Sequence, residues 1–413
     1  MDKQEAPKLE RSLSLTHLIL YGLGVTIGAG IYVLIGETTR EAGIYAPTAF
    51  LISAFVMVFT ASSFAEFSTR LPVSAGEAAY INAGFHSRFL SLLVGLGVAS
   101  AGAVSAATIS IGSVGYIREF VDLPEGLLIT IIICAMGIIA IWGILESITL
   151  AALFTLVEIG GLLLVIGGGF LSDMTLIQKI PSVFPPLSDL AIWVGISSAG
   201  LLAFFAFIGF EDLVNIAEEA KNPKTNMPRA IFLTLGVSTL LYFFVVSISV
   251  LLVPLDILSV SKAPLSLVVE QTVGISPSVM TLIAIIATIN GVIIQMIMAS
   301  RVIYGLSKQK ELPAFLSYVS PTTRTPLAST FLVVAVVLTM ALLFPLGGLA
   351  KATSIMTLTV FALVNLALFK LKLSGEKPPE GTFVVWTWVP AVGFLISLAF
   401  VLLNIYTIVM KAT

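Results

Sequence analysis

The sequence has little of what enzymes and metalloproteins use for chemistry. Its 413 residues include one cysteine, Cys134, and two histidines, His17 and His86. A single cysteine cannot form an internal disulfide, and two histidines are too few for a metal site built from histidine. The net charge of −2, from 21 basic and 23 acidic residues, is not the basic footprint of a nucleic-acid-binding protein. The sequence therefore predicts no metal, no cofactor and no nucleic-acid partner.

Charge of either sign is also scarce, and apolar residues take its place. Only 11% of the residues are charged and 58% are hydrophobic, and the mean hydropathy is +1.07. A soluble domain carries about 45–50% apolar and about 25% charged residues. The apolar excess must face lipid, and the alternating pattern of a membrane β-barrel is absent. These features predict an all-α polytopic membrane protein.

Apolar runs long enough to cross a bilayer recur along the whole chain. A hydrocarbon core about 30 Å thick needs roughly 20 apolar residues per helix. Eleven such runs lie near 14–36, 45–68, 88–117, 126–145, 149–171, 190–219, 230–253, 276–306, 327–346, 348–371 and 386–410. The sequence therefore predicts one membrane domain over 1–413, with about 11 transmembrane helices and no large soluble domain.

The basic residues predict the orientation of the chain. If the N-terminus lies inside, fifteen of the 21 lysines and arginines lie on the inner side and six on the outer side. Cytoplasmic loops of membrane proteins carry an excess of these residues. We therefore expect a multi-pass protein of the plasma (inner) membrane, with a cytoplasmic N-terminus and, after eleven spans, an external C-terminus.

The first span is unusually rich in glycine. Gly22, Gly24, Gly28 and Gly30 fall within nine residues, and each glycine costs about 1 kcal/mol relative to alanine inside a helix. One interpretation is close helix–helix packing through small residues. The other is a broken helix, in which the freed N–H groups hold an anion such as a substrate carboxylate.

The sixth span contains two carboxylates. Glu211 and Asp212 follow the run FFAFIGF in a largely apolar segment, where charge is expensive. A second half-helix beginning there would be stabilised by acids in its first turn, so a capping role is an alternative to a chemical one. Paired breaks in spans one and six indicate a binding site between inverted repeats. We predict the repeats at 14–171 and 190–371, with the helix at 386–410 peripheral.

Five segments resemble motifs of the amino acid–polyamine–organocation superfamily of secondary transporters. They are TIGAGI at 26–31, PVSAGEAAY at 72–80, FAFIGFE at 205–211, EEAKNP at 218–223 and SRVIY at 300–304. The resemblance extends over nearly the whole chain. It implies a five-plus-five inverted-repeat (LeuT-like) fold with discontinuous helices 1 and 6, which transports its substrate by alternating access.

The resemblance also implies a substrate site at the first break. In such relatives the substrate carboxylate binds backbone N–H groups of this break, which here would be those of Ala29, Gly30 and Ile31. The predicted substrate-binding residues of the first break are Ile27, Gly28, Ala29, Gly30 and Ile31.

The second break completes the predicted substrate site with Phe204, Phe205, Phe207 and Ile208. By the same resemblance, the substrate amino group meets carbonyls of Ile27, Phe205 and Ile208, and the ring of Phe205 closes over the substrate. Ordinary packing is the alternative for Phe204, Phe205 and Phe207, and we expect it for at least one of the three.

Glu158 is the clearest ionisable group near the middle of a predicted span. Several relatives have a lysine at this position in the fifth helix, where it takes the place of a sodium ion. Glu158 lies in the apolar run 151–170, and no lysine or arginine lies centrally in any predicted span. It either takes up and releases a proton during transport, binds Na⁺ or a cationic substrate, or stays protonated in a structural hydrogen bond. Glu211 is a second candidate for ion coupling, and Asn290 and Gln295 either line a polar pathway or join helices.

The function predicted from these features is secondary active transport of amino acids by proton-coupled symport. A polyamine or organic-cation carrier or exchanger is the alternative, with Na⁺ as the other possible coupling ion. The scarcity of acidic residues near the two breaks favours neutral substrates. Glu158 and Glu211 leave cationic substrates open as the alternative. A membrane-embedded enzyme is disfavoured because no histidine or cysteine pair is suitably placed, and a channel would need rings of charge or a filter loop.

Overall fold

The computed structural model describes residues 11–118, 120–142, 144–261, 263–274, 276–344 and 346–412. This part of the chain is almost entirely helical and contains no named β-strand. A single parallel bridge joins Leu13 to Ala220. The predicted all-α class is confirmed.

The helices follow one another with short connections. The first half of the chain contains α1 Leu15–Thr26, α2 Ala29–Ala42, α3 Ala46–Arg70, α4 Gly76–Phe85, α5 Arg88–Ile117, α6 Glu125–Trp142, α7 Ile144–Ser172 and α8 Leu176–Lys179. The second half contains α9 Leu190–Phe205, α10 Pro223–Leu252, α11 Leu255–Leu258, α12 Pro264–Val273, α13 Pro277–Lys308, α14 Leu327–Leu343, α15 Leu346–Leu373 and α16 Trp388–Ala412. Short 3₁₀ helices lie at Gly43–Tyr45, Ile180–Val183, Phe210–Glu219 and Ala314–Ser317.

Eight of the helical segments in the described residues are long and apolar enough to cross a membrane. Three shorter apolar helices lie at Leu190–Phe204, Leu327–Leu343 and Trp388–Leu402. All of these segments overlap predicted spans, so the chain is a multi-pass membrane protein. The number of complete crossings stays a prediction.

Both predicted helix breaks are present. Helix α1 ends at Thr26 and α2 begins at Ala29. Helix α9 ends at Phe205, and the chain turns at Gly209 before the 3₁₀ helix Phe210–Glu219. Gly209 has a φ of 131°, a backbone conformation that residues other than glycine rarely adopt. The discontinuous helices 1 and 6 of the predicted fold are therefore confirmed.

The two halves pack on each other as expected for repeats related by a pseudo-two-fold axis. Helix α3 packs on α10, α5 on α13 and α6 on α14, which pairs spans two, three and four with spans seven, eight and nine. Other contacts occur in matched sets: α1 packs on α10 as α9 packs on α3, and α5 packs on α15 as α13 packs on α7. Helix α16 packs mainly on α15 and α3, at one side of this arrangement.

Two helices differ from the sequence expectation. Helix α10 begins at Pro223 rather than near 230, because Asn222 has a φ of 47° and proline is favoured in the first turn. Its first turn is polar, so a search for apolar runs does not include it. Helix α12 lies in the connection before α13 and packs on α7 and α13; it is too short and too mixed in polarity to be read as a span.

Candidate functional site

The first break leaves the start of a helix uncapped. Gly28 is the N-cap of α2 and supplies no side-chain hydrogen bond. The first N–H groups of an α-helix have no partner within the helix, so the first turn of α2 offers donors and the positive end of a helix dipole. Ile27 and Ile31 are fully buried. The side chain of Ala29 lies outside the described part of the structure.

The two breaks are in direct contact with each other. A Cβ atom on Gly30 would lie 2.9 Å from the Cα atom of Ala206. The hydroxyl of Tyr242, on α10, donates to the carbonyl oxygen of Thr26 and lies 3.0 Å from that of Ala206. One hydroxyl group therefore lies within hydrogen-bonding distance of a carbonyl oxygen at each break. The sequence analysis missed Tyr242, since a single tyrosine in an apolar span resembles ordinary packing.

Replacing Gly30 with alanine is expected to impair both folding and transport. The new methyl group would meet backbone rather than a flexible side chain, and overpacking of this kind costs about 1–3 kcal/mol. Gly97→Ala on α5 is the matched control, because no heavy atom of the described residues outside its own stretch of helix lies within 4 Å of its added Cβ. Thermal stability in detergent and uptake into proteoliposomes measure the two effects. Equal behaviour of the two variants would contradict the close contact.

Replacing Tyr242 with phenylalanine tests the bridge between the breaks. Leaving a buried carbonyl group without its donor costs about 1–3 kcal/mol, so the rate at which the protein exchanges labelled substrate across the membrane should fall about tenfold. The ring keeps its contact with Phe207, at 5.1 Å between centroids. Tyr318→Phe removes the hydroxyl of an exposed tyrosine and should exchange substrate as the wild type does. A Tyr242→Phe protein with the wild-type exchange rate would disprove the role of the bridge.

The phenylalanines of the second break separate into different environments. Phe204 packs on Phe400 and Phe361, with ring centroids 5.1 and 6.4 Å apart, so its ring contacts α15 and α16. Phe207 is fully buried and contacts Phe50 and Tyr242. The side chain of Phe205 lies outside the described residues, so its role as a gate stays a prediction.

Glu158 lies in a polar cluster between α7 and α13. Its side chain is fully buried, and the Asn290 amide donates to Glu158 Oε1 at 2.7 Å and to Thr155 Oγ1 at 3.1 Å. Within the part of the chain that the structure describes, Glu158 Oε2 and Asn290 Oδ1 have no hydrogen-bond partner, and none of the ion pairs there includes Glu158. A Cβ atom on Gly24 would lie 2.8 Å from Asn290 Nδ2. The cluster therefore adjoins α1 just before its break.

Glu211 makes a local capping contact. Its carboxylate accepts the N–H of Gly209 at 2.7 Å, next to the start of the 3₁₀ helix Phe210–Glu219. This contact agrees with the capping alternative. It also places Glu211 in different surroundings from Glu158, so the two predicted ion-coupling residues do not share one cluster.

A small polar cavity adjoins the second break. It has a volume of about 40 Å³, and one water needs about 10–15 Å³ on this measure, so it can hold a few waters. Its lining includes Ile208, Glu211, Asp212, Gln295 and Glu77. Burial raises the pKa of Glu77 to about 8, helped by the nearby charge of Glu211 and opposed by a hydrogen bond from Asn215. The sequence analysis did not single out Glu77, although it lies in the PVSAGEAAY motif.

The family of the chain is decided by its match to known proteins. Residues 13–413 match the family model described as amino acid permease. The chain belongs to the amino acid permease family. The match covers both breaks and all the predicted spans.

Curated relatives of this permease are named as transporters, which agrees with the prediction that it is not an enzyme. It is 28% identical to the branched-chain amino acid permease BcaP of Bacillus subtilis, over 90% of this chain and 82% of that protein. It is 28% identical to the vacuolar cationic amino acid transporter 4 of Arabidopsis thaliana, over 92% of this chain but only 66% of that protein. It is 26% identical to the methylthioribose transporter of Bacillus subtilis, over 92% of this chain and 84% of that protein.

A solved structure confirms the fold. The permease superposes on a Na⁺-coupled sialic acid symporter in a substrate-bound, outward-open state with a TM-score of 0.63, covering 94% of this chain and 89% of that one. The sequences are only 14% identical, so this similarity concerns the fold alone. It agrees with the inverted-repeat architecture and the two discontinuous helices.

Proposed function

We propose that the permease is a secondary active transporter that moves an amino acid across the plasma membrane by alternating access, coupled to protons. The observation that carries this proposal is the contact between the two breaks. There the uncapped start of α2 faces the end of α9. An amino acid zwitterion has the complementary chemistry, since N–H groups attract its carboxylate and the carbonyl ends of half-helices attract its ammonium group.

Glu158 is the proposed coupling residue. It is a fully buried carboxyl group with one amide donor, and it forms no ion pair with the described residues. Such a group is costly when charged and tolerable when neutral, so loading and unloading a proton changes the energy of the α7–α13 contact. Because the cluster adjoins α1 at Gly24, that change is transmitted to the first break. Coordination of Na⁺ by the same cluster is the alternative.

The proposed setting is a bacterial or archaeal plasma membrane with the N-terminus in the cytoplasm. The excess of lysine and arginine on one side supports this orientation. The ends of α3 and α15 on the predicted cytoplasmic side contain a buried network, in which Glu66 pairs with Arg70 and Lys372 at 2.7 Å each. The basic side chains there therefore stabilise the packing of α3 and α15, in addition to indicating the orientation of the chain in the membrane.

The substrate is proposed to be an α-amino acid, in accord with the names of the relatives. BcaP is named for branched-chain amino acids and the plant relative for cationic ones. An organic-cation carrier is the second candidate, and the three carboxyl groups that line the cavity at the second break favour it.

The deciding experiment is transport by the purified permease in proteoliposomes. Labelled amino acids should exchange against a preloaded internal pool, and uptake should rise when the external medium is made acidic. A jump in Na⁺ concentration at constant pH tests the other coupling ion. If no amino acid exchanges against an internal pool, the proposed function is wrong.

A further inference from the structure

Glu77 is a buried acid that the proposed transport cycle does not use. It lies in the first turn of α4, and its side chain is 1% exposed. The amide of Asn215, on the 3₁₀ helix Phe210–Glu219, donates to Glu77 Oε1 at 3.1 Å. The side chain of Asn215 also accepts the N–H of Gly76 at 3.2 Å. Glu77 is therefore part of a two-point contact between α4 and the 3₁₀ helix.

Helix α4 is also held by α5 and α15, through contacts that involve no titratable group. The hydroxyl of Ser91, on α5, donates to the carbonyl oxygen of Ala78 at 2.7 Å. A Cβ atom on Gly84 would lie 2.6 Å from the Cα atom of Ala367, so α4 lies close against the backbone of α15. The contact with the 3₁₀ helix is therefore the one that a change of charge on Glu77 alters.

The groups around Glu77 cannot balance a negative charge. Among the residues that the structure describes, the titratable groups that face it are Glu211 and Asp212 on the 3₁₀ helix and Tyr80 on α4. Helix α3 contributes the ring of Phe67, which stacks on Tyr80. The other polar side chains that line the cavity are uncharged: Ser105 of α5, Gln295 of α13, and Thr353 and Thr357 of α15. Each negative charge in such a site makes the next more costly, so a proton is the cation that neutralises Glu77.

The proton on Glu77 is exchangeable near neutral pH. Burial raises the pKa of Glu77 to about 8, the charge of Glu211 raises it further, and the N–H of Glu77 and the amide of Asn215 oppose the change. An unperturbed glutamate has a pKa of about 4.3. Glu77 therefore holds its proton at neutral pH and loses it in mildly alkaline solution. The carboxylate that remains lies beside the two acids of the 3₁₀ helix.

We propose that Glu77 is a proton-binding site of the permease, whose release of a proton to the cytoplasm loosens the contact between α4 and the 3₁₀ helix Phe210–Glu219. The O–H bond of the carboxyl group breaks, the proton passes to water, and the carboxylate repels Glu211 and Asp212. Helix α4 belongs to the connection 69–87 on the predicted cytoplasmic side. It stays with α5 and α15, while the 3₁₀ helix moves away. The inference rests on the proposed function, in which opening toward the cytoplasm is one step of alternating access.

The pH dependence of thermal stability tests the proton site without transport. Because the native state binds the proton more tightly than the unfolded chain does, the contribution of Glu77 to stability is complete below a pH of about 4.5 and is lost as the pH rises through about 8. Glutamine is neutral at every pH. The melting temperature of purified Glu77→Gln should therefore rise relative to that of the wild type between about pH 5 and about pH 9.

Two further variants make this measurement specific. Glu77→Asp restores a carboxyl group and should follow the wild type as the pH is raised. Glu125→Gln removes an exposed carboxylate in the first turn of α6. Its melting temperature should differ from that of the wild type by the same amount at every pH.

A buried cysteine tests whether the proton controls the contact. Val214, on the 3₁₀ helix, is fully buried, and a Cβ atom on Gly76 would lie 2.9 Å from its Cγ2 atom. With Cys134→Ser removing the native cysteine, Val214→Cys places one thiol in the contact, and a polar maleimide labels it when α4 and the 3₁₀ helix separate.

The labelling rate is compared in purified protein with and without Glu77→Gln, so the effect of pH on the thiol itself cancels. The rate with Glu77 kept, divided by the rate with Glu77→Gln, should be about one near pH 6. It should rise about fivefold or more near pH 9, a typical size for coupling between two sites. If Glu77→Gln does not fold, the reference is an exposed thiol, Glu125→Cys, and the same rise is expected.

The outcomes separate this inference from the proposed function. Melting temperatures of the wild type and Glu77→Gln that change in parallel with pH overturn the proton site. A labelling ratio that stays near one also overturns the proposal, because Glu77 is then a structural acid without control over the contact. Absence of amino acid exchange in proteoliposomes contradicts the transport function, and the melting and labelling measurements, which need no transport, still decide the role of Glu77.

Discussion

A Glu158→Gln permease is expected to lose proton-driven uptake. Glutamine has nearly the same shape and still accepts the hydrogen bond that Asn290 donates to Glu158 Oε1, but it cannot release a proton. Accumulation driven by an acidic external medium should fall about tenfold or more, a typical size for coupling between two sites. The pH dependence of uptake should become flat. Uptake into proteoliposomes under imposed pH gradients measures both effects.

The control for this variant is again Glu125→Gln, which removes an exposed carboxylate far from any proposed role in transport. Gradient-driven uptake by Glu158→Gln with an unchanged pH profile would show that Glu158 is only a structural hydrogen-bonding group. A different result, in which Na⁺ stimulates the wild type and not the variant, would instead assign the cluster of Glu158, Thr155 and Asn290 to a sodium ion.

An Arg301→Met permease is expected to be severely destabilised. Arg301 on α13 pairs with Glu219 at 2.9 Å, and both side chains are fully buried. Removing one member of a buried pair leaves an uncompensated charge and costs about 3–5 kcal/mol. Unfolding in mixed detergent micelles, together with the melting temperature, measures this loss.

Two comparisons make the Arg301 prediction specific. The double variant Arg301→Met, Glu219→Met removes both charges, and apolar replacement of a buried pair is often neutral or stabilising, so it should recover most of the stability. Arg40→Met breaks an exposed pair with Glu37, which is worth about 0–1 kcal/mol. A single Arg301→Met variant as stable as Arg40→Met would show that the buried pair contributes little.

Local sequence was enough to predict most of the fold. The apolar runs have the length of membrane spans because lipid provides no partner for backbone groups, so each span must satisfy its own hydrogen bonds as a helix. The breaks were also predictable, since glycines around Gly28 weaken a helix and Gly209 permits a φ of 131°. The start of α10 was not, because its polar first turn is defined by Pro223 and Asn222 rather than by hydropathy.

The site was predictable in part. The motifs of the two breaks and the isolated Glu158 were visible, because charge and glycine are conspicuous in an apolar span. Tyr242 and Glu77 were not singled out. A tyrosine in an apolar span resembles ordinary packing, and the motif that contains Glu77 does not show which cavity its side chain lines. Phe204 was predicted beside the second break, and its ring packs on Phe361 and Phe400. This packing agrees with the alternative given for the three phenylalanines, and substrate contact by Phe204 stays a prediction.

The scarcity of charge by itself determined that this chain belongs in a membrane, because its excess of apolar side chains has to face lipid rather than water. It also determined which acids needed an explanation. Only the tertiary structure decided their partners: Asn290 for Glu158, Gly209 for Glu211 and Gln295 for Asp212. Those contacts join residues far apart in sequence or depend on the shape of a turn. Hydropathy and spacing describe one segment at a time and cannot specify them.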